Sequence, residues 1–153
     1  MKVNVLLGDA AQVDAGGKIH VLGLGWTRTT SPTGPMAVVV LLELGDAPEV
    51  NRSHDATIVL VDERGERVDL SRFGVPAGGF TVSIDRKPDG VADGPIIAPI
   101  VLQTGPLPLE GDRKYRWSVS VDGESEPSWY AAFATNPVGV DSDQLAVVLG
   151  EDG

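Results

Sequence analysis

With 153 residues, 42% of them apolar, and no cysteine, the chain is long enough to bury a core of its own, disorder through its body is disfavoured, and disulfides and thiol chemistry are excluded. Its 22 acidic residues against 12 basic ones, a net charge of −10, exclude a general nucleic-acid binder and disfavour an anionic membrane surface. The longest apolar run, residues 36–42, is too short to span a bilayer, and no secretory pattern is visible in the first residues, so a cytoplasmic location is expected.

Residues 3–8 read as a first strand with Val3, Val5 and Leu7 on one face, continued less regularly through 9–14 to a turn at Ala15, Gly16 and Gly17. Residues 18–30 follow as one long strand in which Gly23 and Gly25 mark a bulge or a close backbone approach. Pro32 and Pro35 make 31–35 a loop. The β-branched run 36–44 predicts a central strand, and 45–53 a loop. A further strand at 54–62 closes in a turn at 63–66, with 67–70 pairing back. After a connection rich in Gly and Pro, 79–86 alternates Phe80, Val82 and Ile84 inward with Thr81, Ser83 and Asp85 outward. The strand 96–104 contains Pro99, which cannot donate to a ladder and so belongs at an edge or a bulge.

The most regular pattern lies at 113–122 and its return at 127–135. Tyr115, Trp117, Val119 and Val121 alternate with Arg116, Ser118 and Ser120, and a turn at Asp122, Gly123 and Glu124 makes the two limbs a hairpin. About eight short strands without a helix-period segment predict an all-β, predominantly antiparallel β-sandwich, immunoglobulin-like and with little helix, over residues 1–135. A closed barrel is the alternative. Residues 136–153 hold Asp141, Asp143, Glu151 and Asp152 and no base, around an apolar island at Leu145, Val147 and Leu149. That segment is read either as a docked last strand or as a mobile tail.

Several stretches together resemble a family of small uncharacterised bacterial proteins, a domain of unknown function common in high-GC bacteria. They are 6–13 (Leu-Leu-Gly-Asp-Ala-Ala-Gln-Val), 17–23 (Gly-Lys-Ile-His-Val-Leu-Gly), Gly25 with Trp26, 51–54 (Asn-Arg-Ser-His), 61–65 (Val-Asp-Glu-Arg-Gly), and Trp117 ahead of 121–124 (Val-Asp-Gly-Glu). The resemblance implies a β-sandwich and assigns no catalytic or binding residue. Separately, Leu109, Glu110 and Gly111 leading to Tyr115 are similar to the tyrosine corner of immunoglobulin-like sandwiches, with the glycine one residue further from the tyrosine than in fibronectin-like domains.

Candidate chemistry is sparse. His20 and His54 lie on predicted strands without the converging ligands of a zinc site and are expected to be half-exposed, with His54 hydrogen-bonding at the end of the loop that carries Asn51 and Arg52. Asp85, Asp89 and Asp93 lack calcium-loop spacing. Alternation turns Trp117 and Trp129 into the core and leaves Tyr130 and Trp26 for a surface, too few aromatic faces for a sugar platform. There is no nucleophile elbow and no phosphate loop, so no enzyme and no cofactor are expected. The expected role is a non-catalytic protein-interaction or structural module, with a protein partner or self-association. Alternatives are a phage or particle surface protein of the decoration type and a small-molecule or carbohydrate-binding domain. The candidate interaction residues are Trp26, Tyr130, Asn51, Arg52, His54, Leu145, Val147 and Leu149.

Overall fold

One nearly continuous apolar run, at 36–44, and two alternating stretches, at 54–62 and 114–121, become the strands around which the others pair. The computed structural model describes residues 1–141. Its first half holds β1 (Lys2–Gly8), β2 (Ala10–Val13), β3 (Ile19–Leu22), β4 (Arg28–Thr29) and β5 (Met36–Leu44), then the short helix α1 (Ala47–Val50). The second half holds β6 (His54–Asp62), β7 (Phe80–Ile84), β8 (Ile96–Thr104), β9 (Lys114–Val121) and β10 (Tyr130–Thr135). One sheet runs β1-β5-β8, a second β4-β10-β9-β6-β7, and β2 and β3 form a two-stranded ribbon. All pairings are antiparallel except the short contact of β4 with β10.

The fold is all-β, and the two larger sheets contribute to one core. Val3, Leu7, Val38, Val40, Leu42 and Ile100 of the first meet Ala56, Ile58, Leu60, Tyr115, Trp117, Val119, Val121 and Phe133 of the second. Trp117 is fully buried, and its indole N–H donates to Met36 Sδ at 3.4 Å, so that the polar end of the largest core side chain is not orphaned. Pro99 sits on β8, at the edge of the three-stranded sheet, where its missing N–H costs no ladder bond to a further strand. The hairpin turn falls at Asp122 (φ 53°) and Gly123 (φ 80°), the pair of positive φ angles that matches strand twist.

Several expectations are corrected. Residues 18–30 are not one strand: Gly23 and Gly25 turn the chain at φ 65° and 94°, and a Cβ on Gly23 would strike the Asp9 carboxylate. Residues 9–14 do not simply prolong β1, because β2 pairs with β3 instead. The loop 45–53 contains α1, started by the Asp46 carboxylate accepting the Glu49 N–H at 3.1 Å. The return at 67–70 is a single bridge from Arg67 to Val61, flanked by the bonds Val68 N–H to Leu60 O and Asp62 N–H to Glu66 O, and not a strand. Trp26 is half-buried, edge-on to Phe133 with ring centroids 5.8 Å apart, rather than displayed on a surface. The histidines are not both half-exposed, because His54 is buried in phase with Ala56, Ile58 and Leu60 on β6. Leu145, Val147 and Leu149 lie outside the described residues, and with them the reading of 136–153 as a docked strand or tail.

Candidate functional site

Strands β6 and β9 pair from Ala56 with Val121 to Asp62 with Tyr115, so each end of the pair gathers residues more than fifty positions apart in sequence. At the Asp62 end lies a cleft of about 390 Å³. One wall is the turn after β6. There Asp62 Oδ1 accepts the N–H of Arg64 at 2.9 Å and of Glu66 at 3.0 Å, a side-chain-closed turn that carries Arg64 and Arg67 outward.

The opposite wall is the segment before β9. It is stitched down by Leu107 N–H to Thr33 Oγ1 (3.0 Å), Ser31 Oγ to Leu109 O (2.7 Å) and Thr135 Oγ1 to Glu110 O (2.6 Å). Buried Leu70 and Leu109 make the cleft apolar at depth, and Tyr115, 7% exposed, lies with them. The Tyr115 oxygen accepts the Glu110 N–H at 3.2 Å, which is the contact of a tyrosine corner. Burial pushes the Tyr115 hydroxyl pKa up.

Four cations and three carboxylates line this cleft. Arg113 is spoken for: its Nη1 reaches Glu63 Oε1 at 3.2 Å and its Nε reaches Glu110 Oε2 at 3.2 Å, and the bond to Glu63, then the charge of Glu110, hold the guanidinium pKa above its ordinary value. The third carboxylate, Asp62, accepts backbone N–H groups. Arg64, Arg67 and Lys114 are exposed and form no ion pair among the described residues. Arg116, the next outward residue on β9, stacks over the Tyr130 ring at 5.6 Å and extends the positive surface onto the outer face of the sheet.

The other end of the same strand pair is closed. His54 Nδ1 is 2.7 Å from Asp122 Oδ2 and Nε2 is 2.7 Å from Glu49 O. A carbonyl and an ionised carboxylate can only accept, so each of these bonds is made by the ring nitrogen that carries hydrogen. Asp122 also accepts the Asp55 N–H at 2.9 Å and lies 3.7 Å from Arg52 Nη1. Burial raises the Asp122 pKa, but the bonds from Asp55 and His54 and the charges of His54 and Arg52 outweigh it and hold the carboxyl below its ordinary value. Glu49 in turn meets the Met1 amino group at 2.7 Å and accepts the Gly45 N–H.

Of the sequence candidates, Arg52 and His54 thus come together at this closed end, and Asn51 reaches Asp93 at 3.4 Å nearby. Asp93 and Asp89 are paired with Lys87 (3.2 Å) and Arg86 (3.7 Å). Tyr130 is 42% exposed and lies with Arg116, away from Trp26. His20 is exposed and bonded to Asp14 at 2.7 Å. Sequence reasoning passed over Arg64, Arg67 and Lys114, and it placed Tyr115 in a tyrosine corner, which the bond to Glu110 bears out, without giving it a binding role. The basic residues flanking a strand end and a facing turn were the available signal, but only the Asp62–Tyr115 register joins them.

Among the described residues, no cluster of three or more His, Cys, Asp and Glu suits a metal ion, and no helix is long and apolar enough to cross a membrane. Comparison with known proteins finds a family model, described as a family of unknown function (DUF6941), that matches residues 4–129. No curated protein and no solved structure matches the chain.

Proposed function

The chain belongs to that family of unknown function, and from its geometry we propose that it is a non-catalytic protein-interaction module which holds an acidic segment of a partner in the cleft between the β6 turn and the start of β9. The observation that carries this reading is the set of three unpaired cations, Arg64, Arg67 and Lys114, around a concave site on a chain of net charge −10. In a strongly acidic protein, cations left without partners on the walls of a cleft are the opposite of a solubilising surface, and they favour an anionic occupant. The neighbouring Tyr130–Arg116 pair supplies the residue types that anchor protein interfaces. Both nitrogens of buried His54 are engaged inside the fold, which supports a structural role for that residue over a catalytic one.

The test is calorimetric titration with a Glu-rich peptide and with its Gln counterpart. The acidic peptide is expected to bind, more weakly as salt rises, and the amide peptide not to bind. Replacing Arg64 and Arg67 together by Ala is expected to weaken binding by about tenfold or more, equivalent to ~1.4 kcal/mol. Equal binding of the two peptides, or an unaffected double variant, removes the proposal.

A further inference from the structure

The floor of the cleft holds a donor that the fold leaves unused. Tyr115 is more than nine-tenths buried, and its oxygen is already an acceptor for the Glu110 N–H, yet no acceptor for its own proton is found among the described residues. A hydroxyl that lines a cleft and already accepts from the backbone is free to donate its proton to a ligand oxygen there. Raised by burial, the hydroxyl pKa keeps this proton in place through neutral pH.

We infer that the cleft reads a single carboxylate, received at the floor by the Tyr115 hydroxyl and flanked by Arg64, Arg67 and Lys114. This deepens the acidic-segment reading and rests on it. A carboxylate fits better than a phosphate for two reasons on the lining itself. The lining carries four cations, Arg64, Arg67, Arg113 and Lys114, against three carboxylates, so a single negative charge on the entering group balances it. Asp62, Glu63 and Glu110 stand on the same lining, so a second negative charge on the ligand meets repulsion. One carboxylate with one neutral donor beneath it and cations at its sides satisfies the site; two negative charges on a single group do not, whereas a second carboxylate carried farther along a ligand stays in solvent.

The variant that isolates the hydroxyl is Tyr115→Phe, titrated with the Glu-rich peptide, with free glutarate and with inorganic phosphate. Wild-type protein that binds peptide or glutarate, with a Tyr115→Phe variant weakened about tenfold while Arg64→Ala still weakens it further, bears the inference out. Because the same oxygen braces Glu110, the variant has a second readout beside it: the ultraviolet difference spectrum of wild-type tyrosine on ligand addition. A perturbation that saturates with binding supports the inference even if Tyr115→Phe folds poorly, and its absence in a protein that binds overturns it. Equal affinity of Tyr115→Phe and wild type, or phosphate binding more tightly than carboxylate, also overturns it. Glutarate binding without peptide binding leaves the carboxylate site standing and removes the protein-partner reading, so the two fail separately.

Discussion

The two ends of the β6–β9 pair are made from the same strands, roughly 26 Å apart at about 3.3 Å per residue, and they treat charge in opposite ways. At the His54 end every polar group has an answer: imidazole to carboxylate and carbonyl, carboxylate to backbone N–H and guanidinium. At the Tyr115 end the backbone is equally well tied, but three cations and one hydroxyl proton are left over. Burial explains the first case, since His54 has no solvent to fall back on and must be satisfied internally. Exposure permits the second, since a surface Arg or Lys is hydrated whether or not it has a partner. A closed polar cluster therefore reads as folding chemistry, and an open one set into a concave wall reads as chemistry kept for a partner.

The contrast can be broken at its shared floor. Trp117 lies opposite Leu60 in the β6–β9 register and is buried between the sheets. Trp117→Ala is expected to cost about 3–5 kcal/mol in urea denaturation and to disturb both ends together. A stability unchanged by that substitution would deny that the strand pair shares one core.

The contrast is sharpened by comparing single ends. His54→Ala strands the Asp122 carboxylate and the Glu49 carbonyl, for an expected loss of about 2–3 kcal/mol, with peptide binding at the distant cleft retained. The Arg64→Ala, Arg67→Ala double variant should show the reverse, stability within about 0.5 kcal/mol of wild type and binding lost. If His54→Ala lost binding in proportion to stability, the ends would be one cooperative unit and the division above would fail.

The smallest expected effect is on acid stability. The Asp122 carboxyl lies below its ordinary value of 3.8 in the folded protein, so its contribution is complete above that value and disappears as pH falls through the lower, folded one. Asp122→Asn keeps a residue that tolerates positive φ and removes the charge. Thermal melts from neutral pH downward should therefore show a shallower acid decline for Asp122→Asn than for wild type; parallel declines would assign the acid limb to other carboxylates.

Much of this frame was legible in the residues. Alternation located β7 and β9 closely, the ranges read for β6 and β8 agree with the strands found, Pro99 limited its strand to an edge or a bulge, and the Asp-Gly turn fixed the hairpin. Even the burial of His54 was written in its phase with Ala56, Ile58 and Leu60, a signal outweighed by the general habit of histidines to sit half in water. The helix α1 escaped because four residues are too few to show a period, and only its Asp46 cap and Pro48 hinted at it. The cleft was not legible at all. Arg64 belongs to a turn and Lys114 to a strand end, each unremarkable locally, and their meeting depends on which strand lies beside which, information that no window of sequence contains.

The proline on β8 has a consequence for crowded solutions. An incoming extended chain laid along the outside of that strand would find no N–H at Pro99, in the middle of the nine residues it must match. That flank is a poor template for copies of the same molecule to stack against, and growth of a continuous ribbon of sheets from this side is interrupted before it begins.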